Sequence, residues 1–362
     1  MSSFPPVRAA HSFICMISLA KLESLLAVYP RLKIGLLGDL FLDRYLEIDA
    51  RLDEPSVETG LVAYQVTGVR NSPGALGTVV NNLTALGVGR LVPLSVVGDD
   101  GHAYDLRRAL ERLGVETQYV LKDPERLTPT YTKPMRIAAA GPAAELNRLD
   151  VRTRAPLSAD TRWRVAECLK RVWAEVDGLI VVDQLVDEGG VVGPEIRDLL
   201  ARLWRESPKP LFIDSRAHIA RFGCGILKTN QSECLATAGL PPTDDLATIR
   251  RVAAERASAT GLTVVCTLGE RGMLVALPGK PPELAAGYPV AGPVDIVGAG
   301  DAASSGFLSA LLSGASEVEA ADIGNLVASI TVQQLGTTGT ATPEQLLARR
   351  RETADTIRDR ED

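Results

Sequence analysis

The second half of this chain alternates two kinds of segment with little between them. The runs "GLIVVD" (178–183), "PLFID" (210–214), "GILKTN" (225–230) and "LTVVCTLG" (262–269) are short and apolar, and stretches of helical period separate them at about 158–176, 192–206 and 243–259. Strands joined through helices run the same way, so they pair parallel, and helices cover both faces of the sheet. The first half joins the pattern with "LKIGLLGD" (32–39) and "RLVPLSVVG" (90–98) as strands and helices over about 73–87 and 100–114. Three more helices fit 299–314, 317–334 and 343–358. The fold class is α/β. Such a sheet binds ligands beyond the carboxyl ends of its strands, which here carry Asp39, Asp183, Asp214, Asn230 and Thr267.

One region departs from this. "DRYLEIDARLDEPSVETGLVAYQVTGVR" alternates apolar and polar residues around turn residues, which reads as two to four short, half-exposed strands. Further short strands fit near 117–121, 129–138 and 143–150. The chain therefore reads as one domain over 31–362, with lid strands inserted at about 44–72 and 117–150, behind an N-terminal extension over 1–30. Folded structure is expected to begin near Ile17, and Met16 offers an alternative start. Exposed sheet edges seek partners, so the lid is expected to pair with that of a second copy in a homodimer.

Composition excludes several functions. The net charge of -6 comes with no basic block, which argues against nucleic-acid binding. No run approaches the length of a membrane span. The five cysteines are odd in number and none are spaced C-x-x-C, and the three histidines form no metal-binding pattern. A cytoplasmic protein is expected, without a signal peptide or structural zinc.

Chemistry concentrates in "VDIVGAGDAASSGFLSALL" (294–312). Gly298, Ala299 and Gly300 make a turn of small residues whose backbone N–H groups can converge, and the helix that follows adds its positive end. That is an anion site suited to a phosphoryl group. Asp301 beside it would repel an anion, so it makes sense as a base that takes a proton from an attacking hydroxyl. Asp at a helix start after Gly is also a common N-cap, and spacing alone favours that reading. G-A-G-D-A-A formally fits a dinucleotide fingerprint too, but no second strand ending in an acidic residue follows.

"DIVGAGD" resembles the terminal signature of the ribokinase-like, or PfkB, carbohydrate kinases, and the likeness extends over about 32–350. "GLLGDLFLDRY", "TPTYTKPMR", "ELNRLD", "LFIDSR", "LKTNQSE" and "LGTTGTATPEQL" are most similar to the kinase domain of bifunctional ADP-heptose synthases, which phosphorylate heptose 7-phosphate at its anomeric hydroxyl. The resemblance implies a three-layer α/β/α sandwich with a β-strand lid, ATP as phosphoryl donor and Mg2+. It makes Asp301 the base and Gly298, Ala299 and Gly300 the anion hole. Asn230 and Glu233 would order magnesium through water, although Asn-x-x-Glu after a strand is otherwise a capping box. Thr267, Gly269 and Gly272 would form the nucleotide loop, although a strand–turn–strand hairpin explains them equally well. Asn325 would lie beside the adenine. Asp295 and the "GTTGT" stretch after Leu335 would hold a K+-like ion. On the sugar side, Asp43 and Gly74 would meet hydroxyl groups, and Lys133, Arg136 and Arg216 could hold a substrate phosphate.

The sequence departs from the family pattern in "SPGALGTVVNN", where Ala75 replaces the second Gly of a pair and Thr78 stands where Asn is usual. No His-x-Gly-His motif is present, so nucleotidylation is expected to need another protein. The expectation is a sugar or sugar-phosphate kinase. The alternative is a catalytically idle sugar-binding regulator of the same fold.

Overall fold

The computed structural model describes residues 16–137, 143–187, 189–336 and 338–358. Its main sheet has nine strands. In chain order they are β1 (Lys33–Gly38), β6 (Arg90–Val97), β7 (Val120–Lys122), β11 (Gly178–Asp183), β12 (Leu211–Ser215), β13 (Ile226–Asn230), β14 (Val264–Thr267), β15 (Gly272–Ala276) and β16 (Glu283–Ala286). The spatial order is β16-β15-β14-β13-β12-β11-β1-β6-β7. From β7 to β14 every pairing is parallel, and the last two strands turn back antiparallel.

A second sheet forms the lid from β2 (Leu40–Asp49), β5 (Val66–Ala75), β8 (Thr130–Ile137) and β10 (Leu149–Val151), in the order β10-β8-β2-β5, with β9 (Ala144–Glu145) paired to β8. A two-residue ribbon, β3 (Glu54–Pro55) with β4 (Val62–Ala63), projects from it. A single residue, Asp39, separates β1 from β2, so the chain passes straight from the main sheet into the lid. The buried Asp39 carboxylate accepts N–H bonds from Gln184, Leu185 and Val191 and so pins the loop after β11.

Ten helices are described: α1 (Leu19–Leu26), α2 (Leu76–Ala85), α3 (Gly101–Arg112), α4 (Ala159–Glu175), α5 (Pro194–Glu206), α6 (Gln231–Ala236), α7 (Leu246–Thr260), α8 (Ala299–Leu312), α9 (Glu317–Thr331) and α10 (Pro343–Arg358). Alternation along the strands divides their side chains between two cores. Ile180, Val182 and Phe212 pack with α2, α8 and α9, while Leu179, Val181 and Ile213 pack with α4, α5 and α7. Strands buried on both faces must be apolar throughout, which is why "GLIVVD" reads as a continuous run. No described helix is long and apolar enough to cross a membrane.

Two boundaries differ from the sequence reading. The described part of the expected extension over 1–30 belongs to the core: Leu22 and Tyr29 are fully buried, the Ile17 N–H donates to Asp322 at 2.8 Å, and Arg350 Nε donates to the Ile17 carbonyl at 2.7 Å. The amphipathic run "KLESLLAVYP" therefore covers an apolar face. Residues 1–15 lie outside the described residues. In the second insertion, 120–122 is not lid but an edge strand of the main sheet, paired parallel to β6. The apolar stretch 262–269 is the first half of a hairpin continued by β15.

Candidate active site

α8 begins beside the carboxyl ends of the central strands. Gly298 is its N-cap, held at φ 79 with no side-chain cap. Asp301 is the third helical residue and therefore does not cap the helix, which removes the N-cap reading. Among the described residues no hydrogen bond engages the N–H groups of Gly298, Gly300 or Asp301, whereas Ala299 N–H donates to the Ile296 carbonyl at 3.1 Å. The open amides are thus those of 298, 300 and 301, and the expected role of Ala299 narrows to spacing the turn. A Cβ on Gly298 would add left-handed strain and come within 3.2 Å of Thr78 Cγ2, so the small residue is required.

The Asp301 carboxylate accepts no described hydrogen bond and sits in a field of charges. Burial, then the negative charge of Asp214, pushes its pKa up to about 7, against the pull of Lys228 and Arg216. Lys228 and Asp214 are the groups that sequence reasoning did not assign. They are register partners on β13 and β12, joined at 2.5 Å. Burial opposes the charge of Lys228, but Asp214, and beyond it Asp301 and Glu233, hold its pKa above the ordinary lysine value. A Cβ on Gly300 would sit 3.1 Å from Lys228 Nζ, so this cation lies against the open turn. The signal in the sequence is a charge inside each of two otherwise apolar strands, "FID" and "ILKTN", at adjacent register.

Asn230 and Glu233 form a complete capping box: Asn230 Oδ1 accepts from Glu233 N–H at 2.8 Å, and Glu233 Oε2 accepts from Asn230 N–H at 2.7 Å. Burial raises the Glu233 pKa, and the charge on Asp214 adds to it. Among the described residues no cluster of three His, Cys, Asp or Glu side chains could cage a metal. Glu233 Oε1 is the carboxylate oxygen that the capping box leaves over, so Glu233 and the neighbouring Asn230 are the residues that could hold a cation through water.

The hairpin reading of 264–276 is the observed backbone. Gly269, at φ 60, faces open space, while Gly272 is packed so tightly that a Cβ would strike the Ala285 carbonyl. Gly272 therefore has a structural role in bringing β15 and β16 together. Thr267 Oγ1 donates to the Thr229 carbonyl at 3.3 Å. Asn325 is buried on α9, and its amide donates to the Ala285 and Ala286 carbonyls, which ties α9 to β16. The Asp295 carboxylate accepts from Val297 N–H and Gly336 N–H, so it joins the 295–298 turn to the loop after Leu335. Thr337 of the "GTTGT" stretch lies outside the described residues.

On the lid side, Asp43 is buried opposite Gly74, where a Cβ would meet its carboxylate at 2.9 Å. Burial raises its pKa, and Lys133, 3.7 Å away, partly offsets this. Lys133 also donates to Tyr45 Oη. Arg136 pairs with Asp53 and lies over the Tyr64 ring, away from Asp43. Arg216 is exposed beside the Gln184 amide and close enough to Asp301 and Glu233 to act on both electrostatically. Thr78 is buried on the first turn of α2 against Gly298 and links the two halves of the site. Ala75 is the α2 N-cap and the only described non-glycine residue at positive φ, at φ 52 and ψ −116.

Solved structures share this architecture. Arabidopsis thaliana ribokinase complexed with ribose and ATP matches with a TM-score of 0.65 at 18% identity, covering 88% of this chain and 98% of that one. Escherichia coli phosphofructokinase-2 in complex with potassium matches with a TM-score of 0.69 at 18% identity, covering 89% and 99%. By fold, then, this is a ribokinase-type α/β protein with a β-sheet lid. Residues 198–345 match the model described as pfkB family carbohydrate kinase, and the bifunctional protein HldE of Trichlorobacter lovleyi is 30% identical over 337 residues, 90% of this chain. HldE of Pelobacter propionicus is 29% identical over 332 residues. The similarity to the pfkB family of carbohydrate kinases covers residues 198–345, and the chain spans 64% of the length of these two curated relatives.

Proposed function

We propose that this chain transfers the γ-phosphoryl group of ATP to a hydroxyl of a sugar or sugar phosphate, with Asp301 as base. The observation that carries this reading is the start of α8: three open N–H groups and one carboxylate whose pKa lies near neutrality. A base poised near the working pH is half ionised and still able to accept a proton, which is where general-base catalysis is most effective. The sugar oxygen attacks the γ-phosphorus, its proton passes to Asp301, and the bond to the β–γ bridging oxygen breaks as ADP leaves. The amides of 298, 300 and 301 and the Lys228 ammonium face the negative charge of the transferring group.

Asn230 and Glu233 would hold Mg2+ through water, and the ion would supply positive charge to offset that of the phosphates. Gly269, with open space before it, and Thr267 suit the nucleotide side, with Asn325 supporting the wall. Asp295 would hold a monovalent cation such as K+. Asp43, Gly74 and Thr78 suit the sugar, and Arg216 a substrate phosphate. The resemblance to ADP-heptose synthases selects heptose 7-phosphate, with its anomeric hydroxyl as the attacking group, as the first sugar to test.

Sugar-dependent ADP release is the test, run in a coupled assay over heptose 7-phosphate, hexose phosphates, ribose and nucleosides. Release with one of these, abolished in Asp301→Asn, supports the reading. The idle-regulator alternative is motivated by Ala75 and Thr78, and sugar binding without ADP release would favour it. The exposed lid residues Leu61, Val62, Val66, Val69 and Leu149 suit pairing of two copies through the lid, which light scattering on Val69→Lys would check.

A further inference from the structure

A cavity of about 350 Å³ lies on the opposite face of the main sheet from Asp301, within the range of small-molecule sites. Alternation fixes that placement. Asp214 and Lys228 follow Phe212 toward the α8 side, whereas Asp183 and Ser215 follow Val181 and Ile213 toward α4 and α5. The cavity is bounded by the start of α4, the loop and first turn of α5, and the single helical turn Ile219–Arg221.

Its walls divide by chemistry. Val191, Val192 and Ile196 give an apolar side. His218, Arg197 and Arg221 give a cationic side. Asp183, 2% exposed, accepts from Ser215 Oγ at 2.7 Å and lies 3.1 Å from His218 Nδ1. That contact fixes the imidazole and leaves Nε2 as the ring nitrogen turned away from Asp183. Arg197 is 8% exposed, donates to the Val192 carbonyl at 2.8 Å and lies over the Phe222 ring. Burial lowers its pKa and the neighbouring charge of Arg221 lowers it further, against the pull of Asp183. Among the described residues no carboxylate pairs with Arg221, whereas the rim carboxylates Glu195 and Asp187 are taken by Arg162 and Arg152. The wall thus carries a buried guanidinium, Arg197, whose nearest opposing charge is Asp183, and an exposed one, Arg221, with no carboxylate paired to it among the described residues. A phosphate dianion suits such a wall, because each guanidinium can give a two-point contact to phosphate oxygens.

We propose that this cavity is a binding site for a small phosphate monoester, its phosphate against Arg221, Arg197 and His218 and its organic body against the apolar wall. The site is separate from the transfer centre and does not depend on the kinase reading. None of its lining residues has a part in the proposed phosphoryl transfer.

The experiment titrates the full chain, carrying labelled Ile and Val methyl groups, with inorganic phosphate and with phenyl phosphate. The expected result is saturable shifts at Val191, Val192 and Ile196, larger and at lower concentration with phenyl phosphate. Arg221→Gln, an exposed substitution, should weaken that binding by about tenfold or more while transfer activity stays within about twofold. Lys228→Met should leave the titration unchanged. His218→Gln provides a second variant if Arg221→Gln folds poorly. The proposal is overturned if neither probe shifts these methyls, or if Lys228→Met abolishes the shifts and Arg221→Gln and His218→Gln do not.

Discussion

Helices α2 and α8 begin in the same unusual way. Each is preceded by a residue at positive φ that offers no side-chain cap, Ala75 at 52° and Gly298 at 79°. Both starts leave backbone amides uncovered beside the same stretch of space, since Thr78 of α2 touches Gly298. They differ in the residue used. At 298 the glycine meets the backbone requirement without strain and keeps the turn open. At 75 an alanine is held where L-residues are strained by about 1–3 kcal/mol. The lesson is that a positive-φ start is a device for presenting amides, and that the chain keeps the unstrained version where phosphoryl chemistry is proposed.

Substitutions can break or sharpen this contrast. The largest effect is expected from Asp301→Asn, which should lower kcat by about a thousandfold while the nucleotide Kd changes little. Equal loss of both would mean that the carboxylate positions the nucleotide and is not the base. Gly298→Ala should cost about a hundredfold in kcat/KM, by disturbing the amides, and about 1–2 kcal/mol of stability from left-handed strain and the Thr78 contact. If that variant behaves as wild type, the two helix starts are equivalent and the contrast fails.

The pH dependence of stability comes next. The folded state favours neutral Asp301, so this group's contribution is fully present below the ordinary carboxylate pKa and lost as pH rises through about 7. Asp301→Asn should therefore be the more stable protein above pH 7 by about 1–2 kcal/mol, discounted for partial solvent access, with the gap closing toward pH 4. Denaturant midpoints across that range measure it. The smallest effect is expected from Ala75→Gly, a gain of about 1 kcal/mol with an unchanged denaturant slope and a shift in sugar KM. A loss of stability there would show that the alanine is not strained.

Much of this was legible beforehand because it follows from periodicity. The βα alternation gave the parallel sheet, and the polar strand ends Asp39, Asp183, Asp214, Asn230 and Thr267 do lie together along its carboxyl edge. What stayed hidden depends on which neighbour a residue meets. Gly272 read as a phosphate-admitting glycine, yet its constraint is the Ala285 carbonyl on the next strand. Asn230 and Glu233 satisfy each other as a cap, a local fact that spacing does suggest. Lys228 needed the β12–β13 register to reveal its partner Asp214 and its position against Gly300. A start of folded structure near Ile17 was legible, but nothing in "KLESLLAVYP" tells which distant surface the helix there covers.

The single residue between β1 and β2 has a mechanical consequence. The Asp39 carbonyl accepts the Leu76 N–H at 3.1 Å, so the outgoing and returning passes of the chain between body and lid are stitched to each other where they cross. Two passes fastened at one point define a crease, and a sheet creased along one line has one easy direction of bending. Closure over a bound sugar would then be a rotation about that line, not a drift of loosely tethered strands.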